Sequence, residues 1–210
     1  MIEALPEDLR PEKYKSLSEV IRYISREHNS LPAFSCFGTT LTYAQVDDLS
    51  SRFANYLQQE TELKVGDRIA IQLLNVLQFP IVLYGAIKAG LVVVNTNPLY
   101  TSKEMAHQFT DSGVKAIVIL ESFCDKLEHI LSQTEISTIV ITSLGELQPE
   151  IRKRVINFGA KYIKKIVPKY SLPNSVNFSK TISISPDYKL PNDVGHGDDV
   201  ALLLYTGGTT

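Results

Sequence analysis

Between residues 67 and 142 the chain alternates short apolar runs with amphipathic ones, and only a few residues join each to the next. Ile69 to Leu74, Leu91 to Val94, Lys115 to Leu120 and Thr138 to Thr142 have the length and β-branched content of strands. Helical segments are predicted between them at about 77–89, 101–112 and 122–132. Gly90 and Gly113 stand where the first two helices should stop, because glycine tolerates the left-handed conformation that ends a helix. Thr101-Ser-Lys-Glu104 has capping-box spacing and should start the second. Strands that alternate with helices pair in parallel, since each helix carries the chain back to the edge it left. The expected fold class is therefore α/β, a largely parallel sheet with helices on both faces and right-handed crossovers. Ile69 to Ile87 is a run of nineteen residues without a charge, the length of a membrane span. It holds Gln72, Asn75, Gln78 and a central Pro80, so a buried strand, turn and helix fit it better.

The part before this core reads as follows. Residues 1–15 look irregular. Ser16-Leu-Ser-Glu19 caps a helix predicted at about 17–28, with Leu17, Val20, Ile21 and Ile24 on one side. A strand at 33–37 should pair back with 41–43 across Gly38-Thr-Thr40. Thr42-Tyr-Ala-Gln45 then opens a long helix to about residue 60, with Val46, Leu49, Phe53, Tyr56 and Leu57 at helical spacing.

Segment 143–199 breaks the alternation. No acidic residue occurs from Ile151 to Pro186, and Arg152, Lys153, Arg154, Lys161, Lys164, Lys165 and Lys169 crowd its first part. Ile151, Val155, Phe158, Tyr162 and Ile166 recur at three or four, which predicts one helix with an apolar stripe beside a basic face. Such a helix packs on its own domain or lies on an anionic membrane. Prolines 168, 173, 186 and 191 then predict an extended, loop-rich passage.

The 210 residues are 44% hydrophobic and 21% charged, enough for a packed core, and a net charge of -2 selects no class of partner. No nucleic-acid-binding module is recognisable. Met1 to Arg10 lacks the apolar core of a secretory leader, and Cys36 and Cys124 lie far apart, so a reduced cytoplasmic protein without a disulfide is expected. His28, His107, His129 and His196 are scattered without ligand spacing, which argues against a zinc site. Cys124 and His129 share a predicted helix but, five apart, do not stack on one face, and Cys124 is expected to be buried. Asn97-Pro98 reads as a turn and Tyr100 as packing; Asp198-Asp199 reads as a solvated turn before the last strand rather than a magnesium contact.

That last strand, Val200 to Tyr205, runs into Thr206-Gly207-Gly208-Thr209-Thr210. Two glycines among hydroxyls after a strand make either ordinary punctuation or a phosphate cradle. No Lys-Ser/Thr follows, so it is not a Walker A loop. A chain that stops inside a tight polar turn reads as the front part of a longer one.

Tyr205-Thr-Gly-Gly-Thr-Thr210 resembles the opening of the phosphate-binding signature of the adenylate-forming enzymes, the superfamily of acyl-CoA synthetases, luciferases and peptide-synthetase adenylation domains. Leu41-Thr-Tyr43 before a long helix is similar to the family's early motif. Gly85 to Thr101 resembles its second core motif, and the wording Asn97-Pro-Leu-Tyr-Thr101 is similar to the fatty acyl-CoA ligase branch. Val155 to Tyr170 resembles a stretch of bacterial long-chain fatty acyl-CoA ligases. The resemblance implies a ligase that makes an acyl-adenylate and pyrophosphate from ATP and a fatty acid, then passes the acyl group to coenzyme A. It implies that Thr206, Gly207, Gly208, Thr209 and Thr210 hold ATP phosphates, with Thr206 near Mg2+ in the full-length enzyme. The family's further glycine, its lysine-glycine pair, its carboxylates for magnesium and ribose, and its C-terminal domain with the catalytic lysine all lie downstream. The resemblance thus implies an N-terminal portion of the AMP-binding large domain, residues 1–210, cut within the phosphate loop, with 143–199 a basic, loop-rich insertion. It holds no catalytic residue and is expected to be inactive, with no cofactor bound. Peripheral contact with the inner face of the membrane through 151–170 is a further expectation, and oligomeric state stays open. The alternative is a non-catalytic α/β binding or scaffold protein that uses its basic helix on a membrane or partner.

Overall fold

A computed structural model describes residues 14–185 and 198–206. Its strands are β1 (Pro32–Cys36), β2 (Thr39–Thr42), β3 (Arg68–Gln72), β4 (Val92–Asn95), β5 (Val114–Leu120), β6 (Thr138–Thr142), β7 (Val176–Asn177) and β8 (Leu202–Leu204). The helices are α1 (Leu17–Glu27), α2 (Tyr43–Gln59), α3 (Gln78–Lys88), α4 (Ser102–Ser112), α5 (Cys124–Ile130), α6 (Glu150–Phe158) and α7 (Phe178–Thr181). β1 and β2 form a separate antiparallel hairpin, and the other six strands form one sheet in the order β7-β6-β5-β3-β4-β8. Every pairing in that sheet is parallel.

Successive residues of a strand point to opposite faces, and both faces of this sheet are buried. Ile69, Ile71, Val93, Ala116, Val118 and Val140 face α1, α2 and α3. Ala70, Val94, Ile117, Ile119 and Ile139 face α4 and α5. This explains why the strands read as continuous apolar runs instead of alternating ones.

The faces are divided for a topological reason. The chain moves from β3 through α3 to β4 on one side, then crosses back over β3 through α4 to β5 on the other. Reversing direction while keeping one crossover hand requires a change of face. α3 therefore lies over one face and α4 over the other.

The predicted helix starts hold. Thr42 and Thr101 both form complete capping boxes, with Gln45 and Glu104. Gly113 ends α4 at φ 63 in the left-handed region. α2 and α3 cross in close contact at Gly85, where an added Cβ would stand 2.8 Å from both the Phe53 ring and the Ser50 carbonyl. The segment predicted at 122–132 is helical throughout, but tightens to 3-10 turns at Glu121–Phe123 and Leu131–Gln133.

The passage read as loop-rich holds more order than the sequence indicated. Val176 pairs with Val140, which makes β7 the sheet's edge next to β6. Phe178 in α7 is fully buried, its ring 5.9 Å from that of Phe53. The basic helix lies on its own domain through Lys153 and Asn157, but it does so without burying its apolar stripe. α6 has no buried residue, and Gly159–Ile163 prolong it as a π-helical turn.

Candidate functional site

Neighbouring strands β3 and β4 send their connections to opposite faces, so the chain parts at their carboxyl ends and leaves a crevice. Ligands of open α/β sheets bind outside the carboxyl ends of their strands. A cavity of about 630 Å³ lies there. Its walls are Leu73, Leu74 and Asn75 after β3, residues 95–100 after β4, Phe79 of α3, and Leu204 and Tyr205 at the end of β8. Tyr100, read from the sequence as packing, lines this cavity while also touching the core under α4.

Local chemistry fixes the walls. Asn97 folds its loop by accepting the Leu99 N–H at 2.9 Å, and Tyr100 N–H reaches the Asn97 carbonyl at 3.1 Å. Lys126 Nζ donates to the Tyr100 carbonyl at 2.7 Å, which ties the loop to α5. At the start of α4 the Thr101 hydroxyl and N–H both donate to Glu104 Oε2 at 2.7 Å. These bonds hold the Glu104 carboxyl below its ordinary value. On the far wall, the Tyr205 hydroxyl donates to Asp111 Oδ2 of α4 at 2.5 Å. Burial and then that carboxylate raise the Tyr205 phenol above its ordinary value, so it stays protonated as a donor.

The lining is neutral. Amide and hydroxyl groups of Asn75, Asn95, Thr96 and Asn97 offer hydrogen bonds, but none of the lining residues carries a charge. Such a wall can orient a polar ligand and shelter an apolar one. It cannot by itself neutralise a polyphosphate.

Of the five residues that the sequence singles out, Thr206 follows Tyr205 at the carboxyl end of β8 and is exposed. Gly207, Gly208, Thr209 and Thr210 lie outside the described residues, as does His196. β8 itself pairs with β4 through Val93–Leu202, Val94–Leu203 and Asn95–Leu204, which brings Tyr205 to the crevice wall. Asp198 and Asp199 are exposed in a turn at the other end of β8, away from the site. Cys124 is buried, its thiol pushed up to about 12 by burial and then by Glu121 and Asp125. No group of three or more His, Cys, Asp or Glu that could hold a metal occurs among the described residues. Nor is any helix among them long and apolar enough to cross a membrane. Sequence reasoning missed the cavity, because its walls come from segments that only the strand order brings together. The asparagines that follow β3 and β4 were the available signal.

Comparison with known proteins bears on this site. Residues 22–210 match the AMP-binding enzyme family. The chain is 39% identical over 206 residues to a long-chain-fatty-acid–CoA ligase of Salmonella typhimurium, covering 98% of this chain and 37% of that protein. It is 40% identical over 198 residues to the long-chain-fatty-acid–CoA ligase of Haemophilus influenzae, covering 94% of this chain and 35% of that one. Among solved structures, a long-chain-fatty-acid–CoA ligase from Archaeoglobus fulgidus superposes with a TM-score of 0.70 at 18% identity, covering 98% of this chain and 37% of that one. An anthranilate–CoA ligase in complex with anthranoyl-AMP superposes at 0.75 with 15% identity, covering 96% and 35%. The chain thus spans little more than a third of the length of these relatives. Since the match runs from within α1 to residue 210 and takes in every strand of the large sheet, the chain belongs to the family of AMP-binding enzymes.

Proposed function

We propose that the chain is the N-terminal part of a long-chain fatty acid–CoA ligase that joins fatty acid and coenzyme A at the expense of ATP, with AMP and pyrophosphate released. The observation that carries the reading is the seat of β8. It brings Tyr205 and Thr206 to the carboxyl end of a parallel sheet, beside the crevice between β3 and β4. Backbone N–H groups of a Gly-Gly turn that starts there would face an anion with no side chain in the way. In this reading Thr206 to Thr210 hold the ATP phosphates, and Asn95 to Tyr100 form the opposing wall.

The chain alone is inactive in this reading. Its crevice carries no cation for the charge that develops on leaving pyrophosphate, and its described residues offer no carboxylate set for magnesium. Lysine, magnesium ligands and the acyl pocket would come from residues beyond Thr210. ATP and coenzyme A as substrates go with a cytoplasmic location.

Two measurements test the reading. The purified 210-residue protein should form no acyl-CoA, and calorimetry should detect no ATP binding in the micromolar range. The coding sequence after Thr210 should continue through a glycine to a lysine-glycine pair. The protein extended by it should make acyl-CoA from long-chain acids, and Thr206→Val in that protein should lower kcat by about a hundredfold. A genuine stop codon after Thr210, or an extended protein without ligase activity, would favour the non-catalytic binding protein instead.

A further inference from the structure

α6 is mounted with its polar side inward. Lys153 Nζ reaches Glu146 Oε1 at 2.9 Å, Asn157 Nδ2 donates to Ser143 Oγ at 2.9 Å, and Gly145 N–H donates to Asn157 Oδ1 at 2.9 Å. The helix lies so close that a Cβ on Gly145 would come within 3.0 Å of the Lys153 carbonyl. Positions 153, 157 and the buried Ala160 share one side by helical spacing. Ile151, Val155, Phe158 and Tyr162 share the opposite side, and it faces solvent. Their exposures run from 57% at Phe158 to 82% at Ile151, and Ile163 stands 70% exposed beside them. A surface helix of a globular domain ordinarily turns its apolar stripe to the core, so this one is inverted.

The surroundings extend the patch and give it a charge. Arg152 Nη1 donates at 3.1 Å to the Phe37 carbonyl, which brings the β1–β2 turn and the 52%-exposed Phe37 beside α6. The Phe158 and Tyr162 rings lie 5.0 Å apart, and Lys161 Nζ sits 5.8 Å from the Tyr162 ring. Lys164, Lys165 and Lys169 follow with no ion pair among the described residues. No acid occurs between Ile151 and Pro186 in the chain, and Glu121, which faces Lys161 from outside that stretch, leaves Lys164, Lys165 and Lys169 to set the local charge.

We infer that this outward stripe, with Lys161, Lys164 and Lys165 at its end, is a docking surface for an anionic lipid bilayer. The charge selects that occupant. An apolar stripe without acids but with a basic end matches acyl chains below negative headgroups. A second copy of the chain would instead bring two clusters of net positive charge onto one interface. The inference stands without the ligase reading, since it uses neither the crevice nor residues 206–210.

Vesicle flotation of the full 210-residue protein tests it. The protein should float with vesicles of equal parts phosphatidylcholine and phosphatidylglycerol, far less with phosphatidylcholine alone, and less as salt is raised. Lys161→Glu, Lys164→Glu and Lys165→Glu together should lower partitioning about a hundredfold, and Phe158→Ser with Tyr162→Ser about tenfold. All these side chains are exposed, so circular dichroism and melting should not change, which separates lost docking from lost fold. The inference is overturned by equal flotation with neutral vesicles or by none at all. It is also overturned if both variants float like the parent, or if a dimer dissociates on Phe158→Ser with Tyr162→Ser. The extended protein must float as well; loss of binding there would mean that later residues cover the stripe.

Discussion

The Lys88 side chain is 1% exposed, and the three N–H groups of its ammonium are shared among four oxygens of α2: the Asp47 carboxylate at 2.6 Å, its carbonyl at 3.0 Å, Ser50 Oγ at 2.8 Å and Ser51 Oγ at 3.0 Å. Burial lowers its pKa, against the pull of Asp47. Asp47→Ala should cost about 2 kcal/mol in urea unfolding, less than a fully buried pair, because Asp47 is partly exposed and three acceptors remain. The lowered pKa also sets a sign. Folded Lys88 releases its proton at lower pH than the unfolded side chain, whose value is near 10.5. Between the two values the unfolded chain binds more protons, so this group makes stability rise with pH there. Lys88→Met should flatten that rise, as read by unfolding at several alkaline pH values. The cysteines give another contrast. With its thiol at about 12, Cys124 should react with Ellman's reagent only after unfolding, whereas the half-exposed Cys36 should react in the native protein. Cys124 was expected from the sequence to be buried and is, on the face of α5 that it shares with Leu127 and Ile130. The burial of Lys88 was not, because its acceptors lie some forty residues away on another helix.

Helices announced themselves best. Ser16, Thr42 and Thr101 each sit three residues before a partner that the structure shows bonded, so the starts of α1, α2 and α4 could be read directly. Thr42→Ala and Thr101→Ala should each lower stability by about 1 kcal/mol, measured by thermal unfolding. Gly85→Ala should cost more, about 1–3 kcal/mol, since its methyl would press on the Phe53 ring and the Ser50 carbonyl where α2 meets α3. β7 and α7 escaped notice for lack of length. A two-residue strand and a four-residue helix carry no periodicity, and they are held by partners far along the chain. The apolar stripe of α6 was readable, but its outward orientation was not. Spacing tells which residues share a face, and only the contacts of Lys153, Asn157 and Gly145 tell where that face points.

At the scale of the molecule, parallel α/β architecture followed from the alternation, but strand order did not. Nothing local says that β5 passes β3, or that β8 returns to β4; the crevice depends on both. β8 has three residues, and Leu202 and Leu204 are exposed, whereas β5 is apolar and buried from Ala116 to Leu120. Hydrogen exchange should therefore show the amides of β8 opening well before those of β5. The β4–β8 pairing has a consequence for biosynthesis. Roughly a hundred residues separate the two strands, and at ~5–20 residues per second a ribosome needs on the order of ten seconds to supply them. During that interval nascent β4 can already have found β3, with its other edge bare and apolar. The newborn chain should then be most open to wrong strand partners, or to a chaperone, between the emergence of β4 and that of β8.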